Sequence, residues 1–109
     1  MPTLHIEHPV TDFATWQAAF DRFAQMRQKS GVLHQRVQRP IDDSHYVVID
    51  LDFATTSAAA SFLQYLQTRV WSAPENSPAL VGTPQTKILE PAEADPQSAA
   101  TPGRSATGY

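Results

Sequence analysis

The stretch HIEH, residues 5–8, brings two histidines and a glutamate together near the start of the chain. Imidazole and carboxylate groups bind transition metals and exchange protons near neutral pH. The backbone decides between these roles, because residues three apart share a helix face but lie on opposite faces of a strand. The surrounding TLHIEHPV alternates apolar and polar residues and stops at Pro9, which predicts a strand. His5 and His8 therefore cannot bind one metal ion, and we predict no metal site.

The predicted strand gives the two histidines different surroundings. His8 shares a face with Leu4 and Ile6, whereas His5 shares the opposite face with Glu7. We expect the first face to lie on the core and the second to form ion pairs at a surface or subunit interface. His8 is therefore the candidate for acid–base chemistry. The alternative is a partly buried histidine that bonds a backbone carbonyl and has no catalytic role.

Two amphipathic helices are predicted further along the chain. In TDFATWQAAFDRFAQMRQKSG the aromatic residues recur at three- and four-residue steps, at Phe13, Trp16, Phe20 and Phe23. Thr11 or Asp12 can cap this helix, and Gly31 stops it. In TTSAAASFLQYLQTRVW, Thr55 or Thr56 can cap a second helix with the apolar stripe Ala59, Phe62, Leu63, Leu66 and Val70.

Three more strands are predicted. VLHQRVQRP and HYVVIDLDF form a hairpin through the turn PIDDS, and QTKILE is the last strand. Keeping the apolar faces of the hairpin together requires odd residues to pair with odd ones. A register that pairs Gln38 with Tyr46 does so and sets His34 across from Asp50. The segment SAPENSPALVGTP is irregular, because its prolines exclude a continuous helix.

The chain of 109 residues is long enough for one domain with a core. We predict that this domain covers residues 1–91 and ends at Pro91. Residues 92–109 are dominated by Ala, Pro, Ser, Thr and Gly. They have almost no apolar side chains to bury, so we expect a disordered tail.

Composition excludes several classes of function. With no cysteine, the chain can form neither disulfides nor a thiolate site. A net charge of −3 disfavours nucleic acid as a partner. No apolar run approaches a membrane span, and MPTLHIEHP does not resemble a signal peptide, so we expect a cytoplasmic protein. The glycine-rich and nucleophile-elbow motifs of nucleotide-binding proteins and hydrolases are absent from the sequence.

The predicted order β-α-β-β-α-β is the ferredoxin-like pattern, an α+β fold with an antiparallel sheet. Several stretches resemble the dimeric α+β barrel superfamily: VTDFATWQAAFD with Arg27 and Gly31, the DD turn, and ALVGTPQTKIL before the last strand. The resemblance covers about residues 3–90. It implies a homodimer packed sheet against sheet, with a cavity between sheet and helices in each chain. Members include antibiotic-biosynthesis-type monooxygenases, polyketide cyclases and haem-degrading enzymes.

A ferredoxin-like sheet places the end of the first strand near the start of the third. His8 and His45, both assigned to the apolar face, are therefore the candidate catalytic residues. The helices bring aromatic and basic side chains to the same end, and the candidate substrate-binding residues are Trp16, Tyr65, Arg69 and Trp71. A histidine among aromatic residues can exchange a proton with a phenol or enol near neutral pH.

The resemblance implies a small-molecule enzyme. We predict a cofactor-independent monooxygenase or cyclase that acts on an aromatic or polyketide-like compound. Haem-degrading members carry an asparagine on the first strand, and this strand has none, which disfavours that activity. The alternative is a non-catalytic ligand-binding or dimer-scaffold protein. An enzyme requires a cavity that reaches solvent and contains an ionisable group, whereas a scaffold can have a packed interior.

Overall fold

Alternating burial along the first strand determines which face of the sheet meets the core. The computed structural model describes residues 1–92, and strand β1 spans Thr3–Pro9. Leu4, Ile6 and His8 are buried, and the residues between them are half-buried. The predicted division of this strand into a core face and an outer face is confirmed.

The other elements follow in the predicted order. They are α1 (Phe13–Arg22), α2 (Ala24–Lys29), β2 (His34–Gln38), β3 (Tyr46–Asp52), α3 (Thr56–Tyr65), a π-helical segment (Leu66–Val70) and β4 (Gln85–Leu89). The sheet has the order β2-β3-β1-β4, and all neighbouring strands are antiparallel. The fold is the predicted ferredoxin-like α+β fold, with β1 central and antiparallel to β3.

The core lies between one face of this sheet and the helices. β1 and β3 contribute alternate residues, and the helices contribute the residues of their apolar stripes. The buried cluster includes Leu4, Ile6, Trp16, Val47, Ile49, Leu51, Phe53, Ala59, Phe62, Leu66 and Val70. The sequence left two candidates for each helix cap. Asp12 caps α1, where its side chain accepts from the backbone N–H of Thr15 at 2.9 Å. Thr55 caps α3, where its side chain accepts from the backbone N–H of Ala58 at 3.1 Å.

The first predicted helix is divided into two. The backbone of Phe23 leaves the helical region, with φ −99° and ψ 15°, and α2 begins at the next residue. A helix end leaves carbonyl groups without intrahelical partners. The carbonyl of Phe20 accepts a hydrogen bond from the backbone N–H of Phe23 and another from Nη1 of Arg27. The arginine thus stabilises the break. Gly31 ends α2 as predicted, with φ +100°.

The hairpin register has the predicted parity but a different offset. Val37 pairs with Ile49, and His34 pairs with Asp52, two residues from the predicted partner Asp50. Parity follows from keeping apolar side chains on one face. The offset depends on the turn, in which the backbone N–H of Asp43 bonds the carbonyl of Pro40 at 3.3 Å.

The outer face of the sheet carries a hydrogen-bonded network centred on His5. Its Nδ1 lies 2.7 Å from Oδ1 of Asp50, and its Nε2 lies 2.8 Å from Oε2 of Glu7. The hydroxyl of Tyr46 donates a hydrogen bond to the other oxygen of Glu7 at 2.7 Å. Two carboxylates can both accept only from a ring that carries two protons, so this geometry holds the imidazolium form. The hydrogen bond to Glu7, and then those involving Asp50, raise the pKa of His5 despite its partial burial.

We expect His5→Gln to weaken the fold more in mild acid than in base. A raised pKa in the folded state means that this stabilisation is present below about pH 6.5 and is lost as pH rises through the folded pKa. The lowered pKa of Glu7 keeps that carboxylate charged in mild acid. The other charged groups on this face include Asp52, which accepts from the hydroxyl of Thr3, Arg36, 4.0 Å from Asp50, and Lys87, paired with His5 across the strands.

The measurement is urea denaturation of both proteins at about pH 5.5 and about pH 9. The difference in unfolding free energy should be about 1 kcal/mol or less at the lower pH and should shrink at the higher. A difference that grows with pH would contradict the imidazolium assignment.

Two further sequence predictions concern the C-terminal tail and membrane-spanning helices. The predicted tail, residues 92–109, lies outside the described residues apart from Ala92. Within residues 1–92, no helix combines the length and apolar character needed to cross a membrane.

Candidate functional site

A cavity of about 70 Å³, partly open to solvent, lies between the sheet and the helices. Its lining is mostly apolar and comes from β1, β3, all three helices, the π-helical segment and residues 76–80. Ionisable groups reach it from two residues, His8 and Arg27. An apolar cavity with a few polar groups is the usual form of a small-molecule site.

Aromatic rings form one wall of the cavity. Trp16 stacks on Phe20, with ring centroids 4.8 Å apart and planes at 21°. His8 meets Trp16 edge-on at 6.3 Å. The helical spacing of Trp16 and Phe20 places both rings on the face of α1 that meets the sheet. This wall is an apolar, aromatic surface, and aromatic ligands pack favourably against such surfaces.

His8 is held as a neutral base. Its Nδ1 lies 2.8 Å from the backbone carbonyl of Pro9, which can only accept, so Nδ1 carries the proton. Burial, the largest effect, lowers the pKa of His8, and the bond to Pro9 opposes it. The ring is therefore neutral at pH 7, and Nε2 presents a lone pair. Among residues 1–92, no side chain hydrogen-bonds to Nε2.

Arg27 supplies the positive charge at the cavity. It is buried, and its Nε donates to Oε1 of Gln35 at 3.0 Å. Its guanidinium carbon lies 3.6 Å from the centroid of the Phe20 ring, within cation–π range. Burial lowers the pKa of Arg27, and the more distant charge of Asp21 opposes this; the guanidinium stays protonated.

The irregular segment predicted from its prolines closes one side of the cavity. Asn76 donates to the carbonyl of Arg69 at 2.9 Å, and Ser77 donates to that of Val70 at 3.0 Å. These bonds satisfy carbonyls at the end of the π-helical segment. The carbonyl of Ala79 accepts from the backbone N–H of Thr11 at 3.0 Å. The segment is thereby fastened at both ends and forms a defined wall.

The structure brings together three of the six predicted site residues. His8, Trp16 and Trp71 line the cavity. His45, Tyr65 and Arg69 are exposed and do not line it. The assignment of His45 to the apolar face is wrong, because His45 lies in the turn before β3. Its backbone carbonyl accepts from the backbone N–H of Val10, the residue after β1, at 2.8 Å.

The π-helical segment explains the positions of Arg69 and Trp71. The backbone N–H of Trp71 bonds the carbonyl of Leu66, five residues earlier, at 2.7 Å. In an α-helix, Arg69 and Val70 would follow Leu66 on the inner face, at steps of three and four. The wider π turn keeps Val70 there and brings in Trp71 instead of Arg69. Tyr65 lies outside, with its ring stacked on Phe62 at 6.4 Å.

Sequence reasoning missed the polar lining residues Arg27, Asn76 and Ser77. Arg27 had a detectable signal, because it continues the inner stripe of Phe20 and Phe23 at the next four-residue step. A charged residue on an apolar stripe is a functional candidate. Asn76 and Ser77 had no such signal, since their position depends on bonds to a distant helix end.

Metal ligands do not cluster in the described part of the chain. Across residues 1–92, no group of three His, Cys, Asp or Glu side chains is arranged to hold a metal ion. His5 and His8 lie on opposite faces of β1, as predicted.

Comparisons with known proteins bear on the fold. The crystal structure of SnoaB, a cofactor-independent oxygenase from Streptomyces nogalater, matches with a TM-score of 0.66 at 17% identity, over 87% of this chain and 96% of that one. A candidate antibiotic biosynthesis monooxygenase from Deinococcus radiodurans matches with a TM-score of 0.66 at 18% identity, over 87% and 96%. This chain has the fold of the antibiotic-biosynthesis-type monooxygenases. The predicted resemblance to the dimeric α+β barrel superfamily is confirmed at the level of the fold.

A further structural match is described as dimeric. It is a ferredoxin-like protein from an uncultured marine organism, with a TM-score of 0.53 at 11% identity, over 81% of this chain and 94% of that one. No protein-family model and no curated protein sequence matches the chain.

Proposed function

We propose that this protein is a cofactor-independent oxygenase of a small aromatic compound with an acidic hydroxyl or enol group. The observation that carries the proposal is His8, a neutral, buried imidazole at an aromatic-walled cavity. The fold similarity to a cofactor-independent oxygenase supports the same reaction type. The predicted roles of Trp16 and Trp71 in holding the substrate belong to this proposal.

The reaction uses His8 as a general base. Nε2 takes the hydroxyl proton, and the resulting anion is electron-rich enough to react with dioxygen directly. One oxygen atom bonds to a ring carbon, and the other leaves as water with the displaced hydrogen. A phenol and dioxygen thus give a quinone and water, so the balance needs no external reductant.

The cavity volume limits the substrate. An apolar cavity of about 150 Å³ holds benzene. At about 70 Å³, the present cavity is under half that size, so it excludes a polyketide-like polycycle, and a single ring would have to extend through its open side. The polar atoms of His8, Asn76 and Ser77 then fix the orientation of that ring.

The experiment is oxygen uptake with single-ring monophenols such as phenol itself, with quinone measured by absorbance against a protein-free control. Oxygen consumption with quinone formation supports the oxygenase. The same base can start an intramolecular ring closure, and a product formed without oxygen uptake would identify a cyclase instead. Binding without any product would favour the non-catalytic alternative.

We also infer that two chains pair through the outer sheet face. Tyr46, Val48 and Leu89 place apolar surface on this face beside the His5 network. No helix of residues 1–92 covers it, since the helices lie on the opposite face. Matching folds are described as dimeric ferredoxin-like proteins.

We expect Val48→Glu to convert this dimer into monomers. Val48 is paired with Glu7 on β1, so the new carboxylate would add repulsion at an interface of about 1,600 Å². Light scattering should give twice the 12.0 kDa of one chain for the natural protein and that of one chain for the variant. The control is Gln64→Glu, which adds the same charge on an exposed part of α3. A natural protein with the mass of one chain would overturn this inference.

A further inference from the structure

Arg27 is a buried charge that the proposed proton transfer does not use. Among Arg, Lys, Asp and Glu side chains of residues 1–92, it alone is buried. Charged side chains are rarely buried without a counterion, because removing a charge from water is costly. Its surroundings therefore indicate what the cavity is built to bind.

The protein gives Arg27 only neutral partners. Its guanidinium bonds the side-chain oxygen of Gln35 and the backbone carbonyl of Phe20, and it stacks on the Phe20 ring. No carboxylate within residues 1–92 comes within 4.0 Å of it. Asp21 acts on it only through longer-range attraction. The cavity thus contains a positive charge without a paired negative one.

Part of the guanidinium remains available. Of its five N–H donors, two are engaged by Gln35 and Phe20. Every fully buried polar side-chain atom in residues 1–92 has a hydrogen-bond partner, so the remaining donor edge is not sealed inside the protein. Arg27 lines the same cavity as His8, so a ligand there would lie beside the guanidinium.

We propose that Arg27 binds a carboxylate of the ligand, which makes the ligand a single-ring aromatic acid. This deepens the proposed function and rests on its assignment of the cavity to an aromatic ring. A planar carboxylate fits the donor fork of arginine.

The aromatic wall sets the arrangement of such a ligand. Arg27 lies 3.6 Å from the Phe20 ring, and Phe20 stacks on Trp16 at 4.8 Å. Trp16 in turn contacts His8. Arg27 and His8 therefore lie at the two ends of this row of aromatic contacts. A ligand packed along it would direct its carboxylate to Arg27 and its hydroxyl to His8.

The test compares benzoate with benzamide, its neutral isostere. Trp16 and Trp71 are the two tryptophans of the chain, and both line the cavity, so intrinsic fluorescence reports binding directly. The natural protein should bind benzoate at least tenfold more tightly than benzamide. Arg27→Gln should abolish this preference, because it removes the charge that distinguishes the two compounds.

A second variant avoids removing the buried arginine. Gln35→Glu places a carboxylate where Oε1 of Gln35 now lies, 3.0 Å from Nε of Arg27. The internal ion pair should lower benzoate affinity at least tenfold and leave benzamide affinity unchanged. Equal binding of the two compounds by the natural protein, or no binding of either, would overturn the proposal. A benzoate preference that is undiminished in Gln35→Glu would also overturn the proposal. Because fluorescence does not depend on turnover, benzoate preference without oxygen uptake would refute only the oxygenase.

Discussion

His8→Gln should lower the rate of phenol oxidation by about 10²–10⁴-fold, the usual contribution of a positioned general base. Glutamine can still donate a hydrogen bond to the carbonyl of Pro9, but it cannot accept a proton from the substrate. Oxygen uptake measures the loss. Benzamide binding, followed by tryptophan fluorescence, should persist and show that the cavity is intact.

The variant His45→Gln tests whether His45 takes part in catalysis, as the sequence predicts, or lies outside the site, as the structure places it. The sequence pairs His45 with His8 in catalysis, whereas the exposed side chain of His45 lies outside the cavity. We expect the rate of this variant to stay within about twofold of the natural protein, since surface substitutions have small effects. A loss at His45 as large as that at His8 would show that the turn closes over the substrate.

The pH profile supplies an independent check on His8. A base acts in its deprotonated form, and burial lowers the pKa of His8 below its ordinary value of 6.5. The natural protein should therefore keep its rate through neutral pH and lose it only on acidification below about pH 6.5. A rate that falls as pH rises from that point would contradict a neutral imidazole base.

Phe53→Ala should lower the free energy of unfolding by about 3–5 kcal/mol, the usual cost of removing a buried aromatic ring. Phe53 is fully buried, and its ring packs 5.6 Å from that of Phe62. Gly31 also approaches it, so the position joins the end of α2 to α3 and the sheet. The surrounding backbone is held by hydrogen bonds, including one from Phe53 to the carbonyl of Pro2 at 2.9 Å, and cannot collapse into the space.

Urea denaturation at one protein concentration measures this effect. The control is Ile41→Ala, because Ile41 is fully exposed in the turn before β3 and should change stability by less than about 0.5 kcal/mol. A loss below about 1 kcal/mol in Phe53→Ala would mean that the ring is not packed as described.

The cavity is bounded by structural features that sequence patterns describe poorly. The break at Phe23 brings Arg27 to the carbonyl of Phe20, and the π turn brings Trp71 to the cavity. The proline-rich segment then supplies the opposite wall through Asn76 and Ser77. Local departures from regular helix recur at functional sites in proteins, because they redirect side chains without changing the fold.

The sequence by itself determined the strand faces and the order of elements. Alternation in TLHIEHPV separates His5 from His8, because successive side chains of a strand point to opposite faces. Parity in the hairpin follows from the same rule. The aromatic steps of the first helix likewise predict that Trp16 faces the sheet, and the structure places it at the cavity beside His8.

Only the tertiary structure decided which side chains share the cavity. The offset of the hairpin depends on how the turn closes rather than on the pattern of either strand, and the same turn contains His45. The exchange of Arg69 for Trp71 at the cavity depends on the π-helical turn that follows α3. Arg27 is held at the cavity by a hydrogen bond to the carbonyl of Phe20, which the helix break leaves free. Asn76 is held there by a hydrogen bond to a carbonyl at a helix end. Local periodicity determines faces within one element, whereas contacts between elements distant in sequence determine which faces meet.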